Sequence, residues 1–318
     1  MELDAKDKRI LFELDNDATI GLKDLAKKLR ASKEVVAYRI RQLEEKGIIS
    51  RYMAISHATK LGLTYYKLFI KYSHITEEKK KEVRDFIMRE KGLAWLASTE
   101  GSFDLVISIK FHSVFEFERF KDELCMRFDS IFQRNSFDVM TYAEGYPRQY
   151  ILGKSNPARK VFVFVDAVDA ERVDREDLAI IQAISKNSRA SSMEIAKATG
   201  LTDRIVRYRR AQLEKRGLIV GYKIAINYRK LNYFFFKCLI KFQSANAKRL
   251  NDLKLYARQH PCAVHWLKVM GEWDLELEIE APSIEEFYHI SNEIREKFSD
   301  IIQTFDSLLV SEEHMLSL

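Results

Sequence analysis

Apolar residues recur at helical spacing through the first fifty positions of the chain and predict three short helices. Ile10, Leu11 and Leu14 share one face of the first helix, which begins after Asp4, a residue suited to the N-cap. The segment LKDLAKKL predicts the second helix, and a tight turn separates it from the third. Ser32 stands where its hydroxyl can cap that third helix.

The third helix lies within ASKEVVAYRIRQLEEKGII, residues 31–49, and its apolar positions define an inner face. Val36, Ile40 and Leu43 recur at helical spacing and are expected to face a core. Gly47 suits the end of the helix, and IISRYMAI after it predicts a strand. This orientation turns a largely basic and aromatic set outward: Lys33, Ala37, Tyr38 and Arg41.

The chain contains this segment twice. A shift of 170 residues places LTDRIVRYRRAQLEKRGLI, residues 201–219, over it without a gap, with Thr202 at the capping position. A period this long predicts two copies of one module, duplicated and diverged. The same offset relates later residues: Lys67 to Lys237, Gly101 to Gly271, Asp104 to Asp274, Phe117 to Phe287 and Phe128 to Phe298.

After its three helices, each copy alternates strands with longer helices. In the first copy, aromatic and β-branched runs predict strands near residues 64–73, 93–99, 103–111 and 135–143, with helices near 76–90 and 113–129. The second copy repeats the order. A βαββαβ order predicts a ferredoxin-like antiparallel sheet, and the chain as a whole is predicted to be α+β.

The copies and the segment between them divide the chain into five parts. We predict helix-turn-helix heads at residues 1–52 and 173–222, and ferredoxin-like domains at 53–147 and 223–318. Residues 148–172 form an unrepeated connector, in which KVFVFVDAV is a strong strand signal. That strand either adds to a sheet edge, fixing how the modules sit together, or merely links them.

Composition and charge narrow the class of protein. The charged start MELDAKDKRI and the absence of any long apolar run indicate a cytoplasmic protein without membrane spans. Three scattered cysteines lack metal-ligand spacing, so we expect free thiols and neither metal nor cofactor. Residues 173–222 hold 10 basic and 6 acidic residues, whereas residues 223–318 hold 12 and 14. A DNA-binding surface needs basic residues to neutralise phosphates, and the second head has such an excess of basic residues.

As a set in this order, the motifs resemble the Lrp/AsnC (feast/famine) family of transcription regulators, in tandem. The resemblance covers nearly the whole chain except roughly residues 148–172. The second copy keeps VDxxD, TxxxVxxR, LExxGLI and GEWD. In the first copy it rests on Leu3, Asp4 and Asp7; Leu25, Ala26 and Leu29; Ser32, Val36 and Arg39; Leu43, Glu44, Gly47 and Ile49; and Gly101 and Asp104.

The resemblance implies gene regulation, with heads that bind double-stranded DNA and RAM-type sheet domains that dimerise. In many members the sheet domain also senses an amino acid or another small effector. By resemblance, Gly101 and Asp104, with Gly271 and Asp274, border the effector pocket. The plain alternative is a tight turn that the aspartate caps. We expect an intramolecular pseudo-dimer and a homo-oligomer, although the sequence leaves open whether sheets pair within or between chains.

The candidate DNA contacts lie on the third helix of each head. A solvated helix face is the plain alternative, but the helix-turn-helix frame and the basic, aromatic character favour DNA. Arg39 and Arg209 either pair with Glu44 and Glu214 or meet phosphate. The full set is Ser32, Lys33, Tyr38, Arg39, Arg41, Thr202, Arg204, Arg207, Tyr208, Arg209 and Arg210.

The two heads differ at three places. Arg30 stands in the first turn where Gly200 stands in the second, so we expect the first turn to differ in shape. Arg210 replaces the apolar Ile40 and predicts a weaker core seam. Ala37 and Arg41 become Arg207 and Ala211, which moves the arginine by one helical turn. We therefore predict an asymmetric DNA site, or one head that adds only phosphate contacts.

Two other functions fit parts of the sequence. His265 beside Trp266 hints at chemistry, because sirohaem decarboxylases of similar architecture use histidines in this domain. The sequence shows no dense cluster of His, Arg and Tyr, so we expect a protein that is not an enzyme. A sequence-neutral chromatin protein is the third interpretation, and it predicts tight binding with little preference among sequences.

Overall fold

The computed structural model describes residues 3–153, 159–244 and 246–315. The first head comprises α1 (Ala5–Asn16), α2 (Leu22–Leu29), α3 (Lys33–Glu45) and the strand β1 (Ile49–Ser56). Its sheet domain follows in the predicted βαββαβ order: β2 (Thr64–Tyr72), α4 (Glu77–Ile87), β3 (Leu93–Glu100), β4 (Leu105–Phe111), α5 (Val114–Phe128) and β5 (Phe132–Gly145).

The second copy repeats this order after the connector strand β6 (Phe162–Val165). Its head comprises α6 (Arg175–Lys186), α7 (Ser192–Thr199), α8 (Asp203–Lys215) and β7 (Ile219–Ile226). Its sheet domain comprises β8 (Phe234–Phe242), α9 (Ala247–Gln259), β9 (Ala263–Gly271), β10 (Leu275–Ala281), α10 (Ile284–Lys297) and β11 (Ile302–Met315). The α+β class and the tandem repeat are confirmed.

The strands of the two sheet domains form one closed antiparallel sheet. The first copy orders its strands β5-β2-β4-β3 and the second orders its own β11-β8-β10-β9, the split order of a ferredoxin-like domain. β3 pairs with β11, and β9 pairs with β5, so eight strands close into a ring. The two sheet domains therefore pair within the chain.

A separate two-stranded sheet joins the heads. β1 runs antiparallel to β7, with Tyr52 opposite Ile224. The contacts around this ribbon are reciprocal: the N–H of Ala18 donates to the carbonyl of Tyr222, and the N–H of Ser188 donates to that of Tyr52. Reciprocal contacts define an isologous interface, so the chain carries a pseudo-two-fold axis between its copies.

Two lysines add a second reciprocal pair to this interface. Lys60 donates to the carbonyl of Arg216, just after α8, and Lys230 donates to that of Lys46, just after α3. Cations at the C-terminal carbonyls of a helix are favourable because those oxygens carry partial negative charge. Each third helix is thus held at its end by a side chain of the opposite copy.

The connector strand β6 adds to a sheet edge, which was one of its two interpretations. It pairs antiparallel with the last residues of β5, and Gly145 lies opposite Phe162. The ring of Phe162 lies directly against Gly221 of β7, where a Cβ would come within 2.3 Å of it. The strand therefore fills the space between the closed sheet and the ribbon. Residues 154–158 of the connector lie outside the described ranges.

Alternation along the strands separates two cores. On β2, the side chains of Tyr66, Leu68 and Ile70 pack under α4 and α5, outside the ring. The intervening Tyr65 and Phe69 point to the inside, where they join the larger core. Within the described ranges, every helix is too short or too polar to cross a bilayer. Cys125 is half-buried, Cys238 and Cys262 are buried, and all three are free thiols.

Candidate DNA-binding surface and ligand pockets

Capping and a buried seam fix the orientation of α3. The hydroxyl of Ser32 accepts a hydrogen bond from the N–H of Val35 at 3.3 Å, which satisfies one of the free donors at the helix start. Val36, Ile40 and Leu43 are all buried, as the sequence predicts. Rotation of α3 about its axis would expose this seam, so its outer face is set by the core beneath it.

The outer face of α3 carries exposed groups. Lys33, Tyr38 and Arg41 are exposed, and 60% of Tyr38 is open to solvent. Within the described ranges, none of the three makes a hydrogen bond or an ion pair with another residue. Two unpaired cations and a free phenol are the kind of groups that contact phosphates and base edges.

The corresponding face of α8 is built from different residues at different places. Thr202 caps the helix through the N–H of Ile205. Arg204, Arg207 and Tyr208 are exposed, and Tyr208 is 66% open to solvent. Arg207 forms an ion pair with Asp203 one turn earlier, yet its side chain stays 69% exposed. An exposed pair of this kind is worth little and can exchange for a phosphate.

Arg39 and Arg209 find structural partners, but other partners than the sequence predicts. Arg39 Nη1 lies 2.7 Å from Asp4 and 2.8 Å from Asp7, both in the first turn of the head. Arg209 repeats these contacts with Asp174 and Asp177. The hydrogen bonds that these guanidinium groups donate to the aspartates raise the pKa of both arginines. The expected pairing with Glu44 and Glu214 is wrong, because packing of the first helix brings its acidic start within reach.

Arg210 is drawn away from the outer face of α8. Its guanidinium lies 4.9 Å from the centre of the Tyr222 ring and hydrogen-bonds Glu214 at 3.2 Å. Only 22% of its side chain is exposed. A cation over an aromatic ring substitutes for the apolar contact that Ile40 makes in the first head. The loss of apolar packing expected at this position is thus partly offset by polar contacts.

Both turns use a left-handed residue, although their backbone angles differ. Arg30 adopts φ +49° and ψ +50°, whereas Gly200 adopts φ +73° and ψ +12°. An L-residue bears a cost of roughly 1–2 kcal/mol in this region. The first head therefore carries a strain at Arg30 that the glycine avoids in the second.

The turns of the sheet domains are held by their aspartates. Asp104 accepts the N–H of Tyr72 at 2.8 Å and contacts Lys71 Nζ at 2.8 Å. Asp274 accepts the N–H of Phe242 at 2.8 Å in the same way. Both carboxylates thus stabilise the turn, as the plain alternative expects. Phe103 and Trp273 within the turns are buried.

The glycines of these turns allow the two copies to approach each other. A Cβ on Gly101 would lie 3.0 Å from the carbonyl oxygen of Ser307 in β11. A Cβ on Gly271 would lie 2.5 Å from the carbonyl oxygen of Phe137 in β5. The turns that the resemblance links to effector binding therefore lie at the junctions between the two sheet domains.

A pocket opens beside each of these turns, and the two pockets are related by the repeat. The pocket beside Asp274 has a volume of about 750 Å³ and lies between α9 and the closed sheet. Trp266 and Leu250 supply apolar surface, Lys254 supplies a cation, and Asp166 enters from the connector.

The pocket beside Asp104 is smaller and more polar. Its volume is about 320 Å³. An ion pair crosses it, with 2.9 Å between Arg84 and Glu312. The pseudo-symmetric position of Arg84 is Lys254, and that of Glu312 is Tyr142, so the wider pocket has no equivalent ion pair between these two.

The interior of the closed sheet holds a charged cluster that the sequence analysis misses. Lys237 Nζ lies 2.6 Å from Glu276 and also contacts Glu278, while Lys67 Nζ lies 3.3 Å from Glu276. Although burial lowers the pKa of a lysine, the two carboxylates raise the pKa of Lys237. At Lys67 the effect of burial prevails, and its pKa is lowered.

The strand sequence LELEIEA contained the signal for this cluster. Apolar residues alternate there with Glu276, Glu278 and Glu280, so one face of the strand is acidic. By itself, this alternation of apolar and acidic residues predicts a strand whose acidic face is exposed to solvent. Only the closure of the ring by the other copy turns that face toward an enclosed space.

His265 belongs to the same interior. Its Nδ1 lies 2.6 Å from a carboxylate oxygen of Glu278, and burial lowers the pKa of His265 despite that neighbour. Arg148, Tyr65 and Lys67 line the same cavity, so the structure brings one histidine, one arginine and one tyrosine to its wall. Among the described residues, no group of His, Cys, Asp and Glu is arranged to hold a metal ion.

Sequence similarity to known proteins supports the identification of two helix-turn-helix heads. Residues 3–50 and 174–220 match the Winged helix-turn-helix DNA-binding family, HTH_24. A proline dehydrogenase transcriptional activator of Rhodobacter capsulatus is 30% identical over 139 residues, which span 43% of this chain and 90% of that protein. The HTH-type transcriptional regulator LrpA of Pyrococcus horikoshii is 43% identical over 61 residues, 19% of this chain and 43% of that protein.

A solved structure resembles the whole architecture. The siroheme decarboxylase NirDL aligns with 97% of this chain and 91% of its own, with a TM-score of 0.62 and 13% identity. At that identity the likeness shows a shared fold alone, whereas the Rhodobacter capsulatus activator is similar in sequence along most of one module. The chain therefore belongs to the Lrp/AsnC family of DNA-binding transcription regulators, and it carries the family's module twice.

Proposed function

We propose that this regulator recognises a specific DNA sequence through α3 and α8 together, and that the two helices read unequal half-sites. The observation that carries the proposal is the pair of exposed faces, one on each third helix, in heads joined across a pseudo-two-fold axis. The contacting residues are Lys33, Tyr38 and Arg41 on α3, and Arg204, Arg207 and Tyr208 on α8. Ser32 and Thr202, which cap the two helices, are proposed to contact phosphate at the helix starts.

The position of one arginine makes the half-sites unequal. Arg41 of α3 corresponds to Ala211 of α8, and Ala37 corresponds to Arg207. Arginine pairs in a bidentate manner with O6 and N7 of guanine, which makes it the commonest specific contact in the major groove. An arginine one helical turn earlier reaches a different base pair. The preferred guanine therefore falls at a different place in each half-site.

One chain supplies both recognition helices in this proposal. Dimeric helix-turn-helix proteins place their helices in successive major grooves, about 34 Å apart. Here the two heads belong to one chain and are paired through the ribbon of β1 and β7, so one bound head holds the other at high effective concentration. One chain then occupies one operator.

Selection from random duplex DNA tests the proposal. The wild-type chain is expected to enrich a motif with two different halves, and Arg41→Ala and Arg207→Ala each degrade one half. Arg119→Ala, an exposed arginine on α5, is the matched control and leaves the motif unchanged. Salt-sensitive binding without a motif would favour the sequence-neutral chromatin protein. No binding to DNA would contradict both.

We propose further that the pocket beside Asp274 binds the effector, an amino acid or a molecule of similar size. Its volume of about 750 Å³ lies in the range of small-molecule sites. Trp266 and Leu250 suit an apolar side chain, while Lys254, which lies 3.4 Å from Glu144, is the cation for a carboxylate. The equivalent pocket beside Asp104 is narrower and is crossed by an ion pair, so we expect a single occupied site in each chain.

Changes in Trp266 fluorescence during titration with the twenty amino acids test this second proposal. At least one of them is expected to give a saturable change that Lys254→Ala weakens about tenfold, because a charged hydrogen bond is lost. Arg84→Ala, the equivalent change in the smaller pocket, leaves the affinity unaltered. Equal losses in the two variants, or no saturable ligand, would contradict this assignment.

The shared fold with NirDL makes a porphyrin titration the test of the enzyme alternative. Spectral titration with an iron-porphyrin is expected to show no saturable shift. Tight binding, accompanied by porphyrin-dependent release of carbon dioxide, would overturn the assignment as a regulator only.

A further inference from the structure

A cavity lies at the centre of the closed sheet, away from the turns and from the recognition helices. Every one of the eight strands of the ring contributes at least one side chain to its wall. Its volume is about 60 Å³. At roughly 15 Å³ for each water-sized group, the cavity holds a short chain of about four heavy atoms.

Much of the wall of this inner cavity is apolar. Trp95 and Phe235 meet edge to face there, with ring centres 6.3 Å apart. Met140 and Leu267 complete the apolar surface and are buried. A surface of this kind is favourable for a hydrocarbon group and offers little to a fully hydrated ion.

A larger cavity of about 470 Å³ adjoins the inner one between the ribbon and the closed sheet. The two share Arg148, His265 and Glu313 as wall residues. The outer cavity adds three cationic side chains, Arg51, Lys223 and Arg229. The two cavities are therefore neighbours that share part of their walls, and we call them together the joined space, with a largely apolar inner part and a basic outer part.

Charged side chains make up the polar part of this joined space. Five cations and four carboxylates line it, and Lys67 and Lys223 are also paired with Glu276 and Asp15 behind the wall. The lining cations are Lys67, Arg148, Arg51, Lys223 and Arg229, and the lining carboxylates are Glu278, Glu280, Glu312 and Glu313.

One buried donor in the inner wall has no partner. Tyr65 is 2% exposed, and among the described residues its hydroxyl makes no hydrogen bond. An unsatisfied buried hydroxyl costs about 1–3 kcal/mol. Lys67, two residues along β2, lies on the same inner face of the strand. Both side chains can donate to an oxygen atom of a bound molecule.

We propose that this joined space is a ligand site for a small carboxylate with an apolar body of about four to six carbon atoms. The hydrocarbon packs against Trp95, Phe235 and Leu267, and the carboxylate lies among the cations of the wall and accepts a hydrogen bond from Tyr65. The site is separate from the pocket beside Asp274, and its existence does not depend on DNA binding or on an effector there.

The position of the site places its ligand against the attachment of the first head. The backbone N–H of Arg148 donates to Asp15 of α1 at 2.7 Å, and Lys223 Nζ lies 3.5 Å from the same carboxyl group. Both cations also line the outer cavity. A bound carboxylate would therefore compete with Asp15 for them.

Calorimetric titration of the full chain with hexanoate, in the absence of DNA, tests the proposal. We expect one site per chain. Hexan-1-ol, which lacks the charge, and acetate, which lacks the tail, are each expected to bind at least tenfold more weakly. Tyr65→Phe is expected to weaken hexanoate about tenfold, the value of one hydrogen bond to a charged group. Tyr256→Phe removes another unpartnered hydroxyl outside these cavities and leaves the affinity unchanged.

A second variant fills the space directly. Ala94 lines the inner cavity and is buried, so Ala94→Leu is expected to abolish hexanoate binding while the chain still unfolds cooperatively. The proposal is overturned if hexanoate shows no saturable binding to the wild type. It is equally overturned if hexanoate binds the Tyr65→Phe and Ala94→Leu chains as well as it binds the wild type.

Discussion

Arg30 ends α2 with a backbone φ of +49°, where the second copy has a glycine. The Arg30 side chain makes this backbone conformation unfavourable in the first turn, whereas the glycine of the second turn has no side chain. Glycine adopts this conformation without a Cβ clash, although it loses more entropy on folding. The repeat therefore offers a natural comparison of one turn built with two residue types.

Arg30→Gly is expected to raise the free energy of unfolding by about 1 kcal/mol, because it removes the left-handed strain. The reverse test is Gly200→Ala, which is expected to cost about the same. A Cβ at Gly200 meets no atom within 4 Å, so this loss reports on the backbone alone. Denaturant unfolding measures both, and a destabilised Arg30→Gly chain would refute the account of the turn.

Asp138 makes stability depend on pH. It is fully buried and accepts the N–H of Glu272 at 2.6 Å. Burial, and then the nearby charge of Glu276, raise the pKa of Asp138 to about 7. An unfolded aspartate titrates near pH 3.9. Because the folded pKa is the higher, this group contributes stability below about pH 4 that is lost as the pH rises to 7.

The free energy of unfolding should therefore receive from Asp138 a negative slope of up to about 1.4 kcal/mol per pH unit between pH 4 and 7. Asp138→Asn keeps the acceptor oxygen but cannot titrate, so the slope should become less negative in that chain. Unfolding curves at several pH values in this window measure the difference. Identical pH profiles of the two chains would show that Asp138 titrates normally.

Among the secondary-structure elements, the local sequence pattern predicts the helices and the strands, but it does not predict that the strands close into a ring. The βαββαβ order follows from alternation and helical spacing within each copy. The pairing of β3 with β11 and of β9 with β5 joins segments far apart in the sequence, and no turn encodes it. The charged interior was missed for the same reason, because Glu276 and Glu278 are enclosed only after closure.

The partners of Arg39 are less predictable than its place on the helix. The sequence leaves two alternatives open, an ion pair with nearby Glu44 or a contact with phosphate. The structure instead directs Arg39 to Asp4 and Asp7, since α1 packs across α3. Glu44 accepts a hydrogen bond from Tyr52 of the following strand at 2.5 Å. The outward position of Tyr38 and Arg41 was predictable, because it depends only on the buried seam of their own helix.

Gly271→Ala tests the junction of β5 with β9. The new methyl group would lie 2.2 Å from Asp138 Oδ1 and 2.5 Å from the carbonyl oxygen of Phe137, so a strand must shift. We expect a loss of about 3 kcal/mol in the free energy of unfolding. Met270→Ala is the control on the same strand, since Met270 is 64% exposed. A chain with Gly271→Ala that is as stable as wild type would mean that the junction is looser than described.

At the scale of the whole molecule, the chain is a pseudo-dimer whose two sides have diverged. Reciprocal contacts across the ribbon preserve the two-fold relation, while the connector fills one side only. Arg148 of the connector ties three parts together. Its backbone N–H reaches Asp15 in the first head, and its guanidinium reaches Glu280 in the closed sheet at 2.8 Å.

Arg148→Met is expected to cost about 3–5 kcal/mol, because it leaves Glu280 buried without its cation. The first head should also loosen more than the second, since the side chain contributes to the attachment of Asp15. Hydrogen exchange of α1 compared with α6 measures this difference. Equal exchange in the two helices would contradict a role for Arg148 in holding the first head.

In the proposed function, the two heads read different half-sites because the arginine stands one turn apart on α3 and α8. The most direct measurement exchanges that feature. Ala37→Arg combined with Arg41→Ala gives α3 the arrangement of Arg207 and Ala211 on α8. Selection from random DNA is expected to yield two more nearly equal half-sites for this chain and unequal ones for the wild type. An unchanged motif would contradict the claim.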